Sequence, residues 1–165
     1  WTLLLLALLS GKAFTADSVN IGVTGNIVAS PCIFNGGSNS LDVNLGNIQA
    51  TNMATPGSTS DPVPFSLLFT QCPTGTKSVT VSFTGSPDPA AGADYFMNSG
   101  SATHVAIAMR DAQTGTLKGT GSGMTQTIGA DRTATMAMQA SVKSVTGGVT
   151  PGSISAVVVM TMQYN

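Results

Sequence analysis

Residues 152–165 read G-S-I-S-A-V-V-V-M-T-M-Q-Y-N. Every second residue puts Ile154, Ala156, Val158, Met160, Met162 and Tyr164 on one side. A period of two marks a β-strand with one buried face. The run closes the sequence with no turn and no returning strand after it. An apolar strand in that position needs a partner along its open edge, because unpaired strand edges recruit other chains.

Working back from it, strand signals recur at short intervals. Leu41, Val43 and Leu45 alternate and stop at Gly46. Residues 63–71 form an apolar run that leads into Cys72 and Pro73. Val79, Val81 and Phe83 alternate up to a Gly-Ser-Pro break. Val105, Ile107 and Met109 alternate before a turn at Thr114 and Gly115, and Met136, Met138, Ala140 and Val142 before Gly147 and Gly148. No segment carries a 3.6-residue apolar period. The Gly/Pro/Ser/Asn-rich stretches 46–62 and 86–101 read as loops. The pattern predicts an all-β chain folded as a sandwich.

The N-terminal side also alternates: Val19, Ile21 and Val23 are separated by Asn20, Gly22 and Thr24, with Ile27 beyond a Gly-Asn pair. This is an apolar arm ahead of the first cysteine, or else an ordinary first strand of the domain's own sheet. Behind it the strand signals fall one short of the roughly seven of an immunoglobulin-like sandwich, so one strand is expected from outside.

Composition narrows the function. Charged residues make up 8% of the 165, Glu is absent, and the formal net charge is −1. No basic patch exists to hold phosphates, which excludes nucleic-acid binding. The apolar content of 42% separates the chain from disordered sequences of low hydrophobicity. Residues 1–16 read as the remnant of a secretory signal: an apolar stretch from Leu3 to Leu9 followed by small residues. Cleavage is expected after Ala16, with Thr15 as the alternative. In an exported chain the two cysteines, Cys32 and Cys72, imply one disulfide. Closing that loop stabilises by roughly 4 kcal/mol in the chain-entropy treatment.

Catalytic and metal-binding arrangements are not expected. His104 is the sole histidine and sits at a solvent-facing position where a strand opens. Asp42, Asp61, Asp88, Asp94, Asp111 and Asp131 are scattered through turn-like contexts, and nothing pairs two of them for acid–base work. The glycines from Gly119 to Gly123 lack the Lys and the strand–helix setting of a phosphate loop and read as a flexible loop. Met136, Met138, Met160 and Met162 fall at strand spacing and read as core. No cofactor or metal is expected, and no enzyme.

Four segments in order resemble a family: G-N-I-V-A-S-P-C, L-D-V-N-L-G-N-I, C-P-T-G-T-K-S-V-T-V-S-F-T-G and the terminal V-M-T-M-Q-Y-N. Together they resemble the subunits of chaperone–usher fimbriae, with the likeness running to the minor tip subunits of type 1 fimbriae. The family's glycine fourteenth from the C-terminus and its penultimate aromatic are matched by Gly152 and Tyr164. The resemblance implies an incomplete immunoglobulin-like β-sandwich lacking its final strand, completed by a donor strand in trans. It implies a donor extension over 17–27 and a pilin domain over 28–165. Val19, Ile21, Val23 and Ile27 would be the donated side chains. Gly152, Ile154, Ala156, Val158, Met160, Met162, Tyr164 and Asn165 would form the groove edge that also meets the chaperone, the Asn165 carboxylate serving as its anchor. The implied partners are a periplasmic fimbrial chaperone, the outer-membrane usher and two neighbouring subunits, one giving a strand and one receiving it. The chain would pass through the periplasm to a cell-surface fimbrium and contribute to adhesion as a tip adaptor, with a major shaft subunit as the alternative. A carbohydrate-binding adhesin is the other reading; it would rest on Tyr95 and Phe96, which read instead as loop anchors.

Overall fold

The computed structural model describes residues 19–27 and 31–165, so the expected signal segment 1–16 lies outside the described residues. Nine strands follow in chain order among these residues: β1 (Ile33–Phe34), β2 (Val63–Thr70), β3 (Ser78–Gly85), β4 (Pro87–Asp88), β5 (Gly92–Met97), β6 (Val105–Asp111), β7 (Gly123–Thr127), β8 (Ala134–Ser144) and β9 (Val158–Tyr164). They form two antiparallel sheets, one ordered β1-β2-β8-β6-β5-β4 and the other β7-β3-β9. Among the described residues two short 3₁₀ turns, Asn35–Gly37 and Ala50–Met53, interrupt the all-β architecture.

The alternation read from the sequence sets the layers. On β8, Met136, Met138, Ala140 and Val142 are buried, and β6 and β2 flank the strand. On β3, Val79, Val81 and Phe83 are buried. Met136 and Met138 pack with these three and with Leu67 and Phe69 of β2 into one cluster, while Val142 packs with Met53, Ala102 and Val105 in a second. The two layers therefore meet over apolar faces whose polar neighbours point outward, as in aligned sandwiches. Cys32, just ahead of β1, is joined to Cys72 just past β2, fastening the start of the body to the core sheet.

Three stretches differ from the sequence reading. Residues 86–101 contain β4 and β5 rather than a loop, because Phe96 is buried at 1% exposure and pins β5 against β6. Asp88 Oδ1 accepts the N–H groups of Ala90 and Ala91, closing the turn between the two strands. Gly119, read as part of a flexible loop, is buried where an added Cβ would run into the backbone of Ala93 and Asp94. Residues 41–45 are extended and alternate as expected, but they enter no ladder.

Tyr95 and Phe96 are strand residues, not loop anchors. Phe96 is inside, and the half-buried Tyr95 accepts a hydrogen bond from Lys143 Nζ at 3.1 Å while the ammonium sits 4.3 Å from its ring centroid. His104 lies in the bend just before β6, exposed, at φ +63°, with Nδ1 3.1 Å from the Gly148 carbonyl oxygen.

Candidate functional site

β9 is an edge strand. Its ladder to β3 runs from Val158 opposite Gly85 to Tyr164 opposite Val79, and its other side has no strand partner among the described residues. Across from that side lie residues 39–48, whose backbone makes no backbone–backbone hydrogen bond among the described residues. Two unpaired edges thus face each other across a groove.

The groove holds about 1700 Å³, whereas a packed interior leaves few voids larger than one water molecule. One wall carries Ile154, Ala156, Val158, Met160, Met162 and Tyr164, and the other Leu41, Val43, Leu45 and Ile48. These wall residues are half-buried, alternating with exposed neighbours, so each turns one side to the core and one to the opening. The floor is core: Leu67, Phe83, Ile107 and Ala140 are buried yet line the groove. At one end Tyr164 meets Phe69 edge-on at 6.5 Å, and Phe69 meets Phe34 at 5.4 Å. Burial also raises the Tyr164 hydroxyl above the usual tyrosine range. At the other end Ile154, Leu45 and Ile48 pack on Met53 and Val142. The two walls therefore run antiparallel, leaving a slot of the shape of a strand.

Upstream of the ladder, residues 152–157 remain extended without β3 beside them. Gly152 is confined there: a Cβ would strike the backbone of Ser101 and Ala102. Asn165 lies past the groove, its N–H donating to the Ser78 carbonyl and its carbonyl accepting from Ser78 at 3.0 Å each. Among the expected groove residues, the structure thus brings Gly152 and the six alternating side chains together along the opening and leaves Asn165 outside it. The opposite wall and the floor were not assigned from sequence. The Leu41–Leu45 alternation was visible, but not its lack of a ladder.

The arm is the second half of the site. Val19, Ile21 and Val23 are 83%, 84% and 90% exposed, and Ile27 is fully exposed. Residues 19–27 pair with no strand among the described residues. Four aliphatic side chains in water are a large unburied apolar surface for so short a segment. The alternative of an ordinary first strand in the domain's own sheet is not what the structure adopts.

Asp88, Asp111 and Asp131 serve turns. The Gln113 N–H bonded to Asp111 holds that carboxyl below the usual range, as the Thr133 hydroxyl does for Asp131. A lowered carboxyl is the reverse of what a general acid needs. Among the described residues no group of three or more His, Cys, Asp or Glu side chains is placed to hold a metal.

Comparison with known proteins agrees with this geometry. The family model described as fimbrial protein matches residues 21–165. Protein FimG of Escherichia coli K12 is 33% identical over 164 residues, covering 98% of this chain and 93% of its own length. The fimbrial-like protein FimF of Salmonella typhimurium is 29% identical over 157 residues, covering 95% and 90%. Among solved structures, the P pilus rod subunit PapA superposes with a TM-score of 0.68 at 23% identity, covering 82% of this chain and all of that one. The resemblance seen in four short segments therefore extends over nearly the whole sequence and the fold, and the chain belongs to the fimbrial protein family.

Proposed function

We propose that this chain is a non-catalytic link in a chaperone–usher fimbria, accepting one strand in its groove and giving its own arm to a neighbour. The observation that carries this reading is the pairing of opposites in one chain: a strand-shaped apolar slot without a strand, and an apolar strand without a slot. Strand addition satisfies both, since main-chain bonds along the two free edges give affinity and alternating side chains in the slot give specificity.

In this reading residues 1–16 direct export, 17–27 form the donor extension and 28–165 the pilin body. A periplasmic chaperone fills the groove first with a strand of its own, the outer-membrane usher receives the complex, and the arm of the next subunit takes the chaperone strand's place. Val19, Ile21, Val23 and Ile27 enter the neighbour's groove. Ile154, Ala156, Val158, Met160, Met162 and Tyr164 line the groove that receives. Four aliphatic side chains buried at about 1.5–3 kcal/mol each contribute roughly 6–12 kcal/mol before ordering costs. Both an arm and a groove suit a position between two neighbours, and the near full-length similarity to FimG and FimF supports a minor, adaptor-like subunit over the main shaft subunit.

The test removes residues 17–24 from the secreted chain. Chaperone binding through the groove is expected to persist, while joining to the preceding subunit is lost. A truncated chain that still joins that subunit would refute the donor role.

A further inference from the structure

The edge offered to an incoming strand is longer than the ladder that supports it. β3 accompanies β9 only from Val158 onward, yet Ile154 and Ala156 line the groove as well. Ser153 and Ser155, on either side of Ile154, are held by the segment that joins β5 to β6. Ser99 N–H donates to the Ser155 carbonyl at 2.8 Å and Ala102 N–H to the Ser153 carbonyl at 3.0 Å. Ser101 and Ser153 exchange backbone-to-hydroxyl bonds at 3.0 and 2.9 Å.

Asn98 lies at the centre of this contact. Its Nδ2 donates to the Ala102 carbonyl at 2.8 Å and reaches the Ser153 carbonyl at 3.4 Å; its Oδ1 accepts from Gly100 N–H at 3.0 Å and Ser155 N–H at 2.8 Å. One half-buried side chain thus fixes its own loop and the strand edge together. Gly100 and Gly152 make the approach possible, because a Cβ on either would run into the backbone opposite. All the bonds fall on Ser153 and Ser155. The backbone groups of Ile154 and Ala156 make no hydrogen bond among the described residues and remain on the groove side.

We infer that Asn98 is a positioning residue for strand acceptance: it stands in for the missing length of β3 and extends the accepting edge from Val158–Tyr164 to Ile154–Tyr164. An incoming strand then pairs along eleven residues of the edge instead of the seven of β9. This rests on the reading of the groove as a strand acceptor.

Amide hydrogen exchange on the chaperone-bound full chain tests it, with Asn98→Ala against wild type and exchange read by segment. Losing one or two net hydrogen bonds corresponds to about a tenfold rise in exchange. That rise is expected over residues 152–156 and over the chaperone residues facing them, while 158–164 stays within about twofold. Asn98→Asp keeps the acceptor bonds to Gly100 and Ser155 and loses the donated ones. It is expected to give a smaller rise, about threefold, in the same segments, and it carries the test where the alanine variant does not fold. An equal rise over 158–164 would make Asn98 a general stability residue and overturn the inference, as would unchanged protection of the facing chaperone residues. If the wild-type complex shows no protected chaperone strand at all, the acceptor reading of the groove fails first.

Discussion

Ile21→Asn separates the two roles of the arm. The Ile21 side chain is 84% exposed on its own subunit, so the change removes almost nothing from that subunit's core. Its own stability is expected to stay within about 0.5 kcal/mol, a shift of no more than about 2 °C in the thermal midpoint of the chaperone-bound chain. In the proposed joint the same side chain would be buried in the neighbour's groove, where an aliphatic residue contributes about 1.5–3 kcal/mol. Losing that weakens the joined pair by about 10- to 150-fold, and the polar replacement adds an unsatisfied amide to the loss. The assay joins the purified variant to the subunit whose groove its arm enters. It follows the rate at which the pair separates in mild denaturant, since an exchanged strand is held kinetically. Two results refute the reasoning. A fall of more than about 5 °C in the variant's own midpoint would place the arm in its own sheet. An unchanged separation rate would remove Ile21 from the interface.

Other perturbations address the groove itself. Gly152→Val places a branched side chain against the Ser101–Ala102 backbone and is expected to cost about 1–3 kcal/mol, read by urea unfolding of the chaperone-bound chain. Tyr164→Ala removes the edge-on contact with Phe69, with an expected loss of about 2 kcal/mol and a weaker chaperone complex in pull-down. Replacing Cys32 and Cys72 by Ala frees the start of the body from β2; a loss of about 2–4 kcal/mol is expected in the same unfolding assay. Asp111 and Asp131 both have carboxyls lowered by turn hydrogen bonds. Their contribution is present above the unfolded carboxylate pKa of about 4 and is lost as pH falls through the lower folded value. Unfolding midpoints should therefore be level from neutrality to about pH 5 and decline below about pH 4, with Asp131→Asn flattening part of that decline.

How much the sequence revealed depended on how each strand is buried. β2, β3, β8 and β9 bury chiefly one face, and a one-sided strand writes its burial as a period of two; β6 buries Val105 to Ala108 on both faces, and its period shows only because the large Val105, Ile107 and Met109 alternate with alanines. β5 and β7 lack that signature. β5 buries only Phe96, and β7 alternates Met124 with Thr and Gln at a sheet edge, so neither stands out from the loops beside it. The unpaired edge of β9 and the exposed arm were legible because both are long and apolar. The opposite wall was legible as an alternation from Leu41 to Leu45, but a ladder that does not form leaves no mark on the residues that would have formed it. Asn98, Gly100 and Gly152 meet only through the folded chain, from stretches about fifty residues apart. Gly152 was noticed through family resemblance, and its physical reason came with the structure.

The two walls of the groove are not equivalent, and that difference bears on how a strand enters. β9 is tied along its length to β3, and its upstream extension to the loop after β5. It can offer a fixed register. Residues 39–48 are held chiefly at their ends: by the Cys32–Cys72 bond and β1 on one side, and on the other by the turn that buries Met53. A segment with few backbone bonds opens at low free-energy cost. An incoming strand can therefore pair first with the fixed edge, residue by residue, while the looser wall closes over its apolar side chains. Polar changes at Met160 or Met162 should then slow the first pairing, whereas polar changes at Val43 or Leu45 should leave that step alone and speed the release of a strand already seated. A fold that keeps one edge rigid and the other adjustable exposes its core only as far as one strand's width, which confines the hazard of an open sheet edge to partners of that shape.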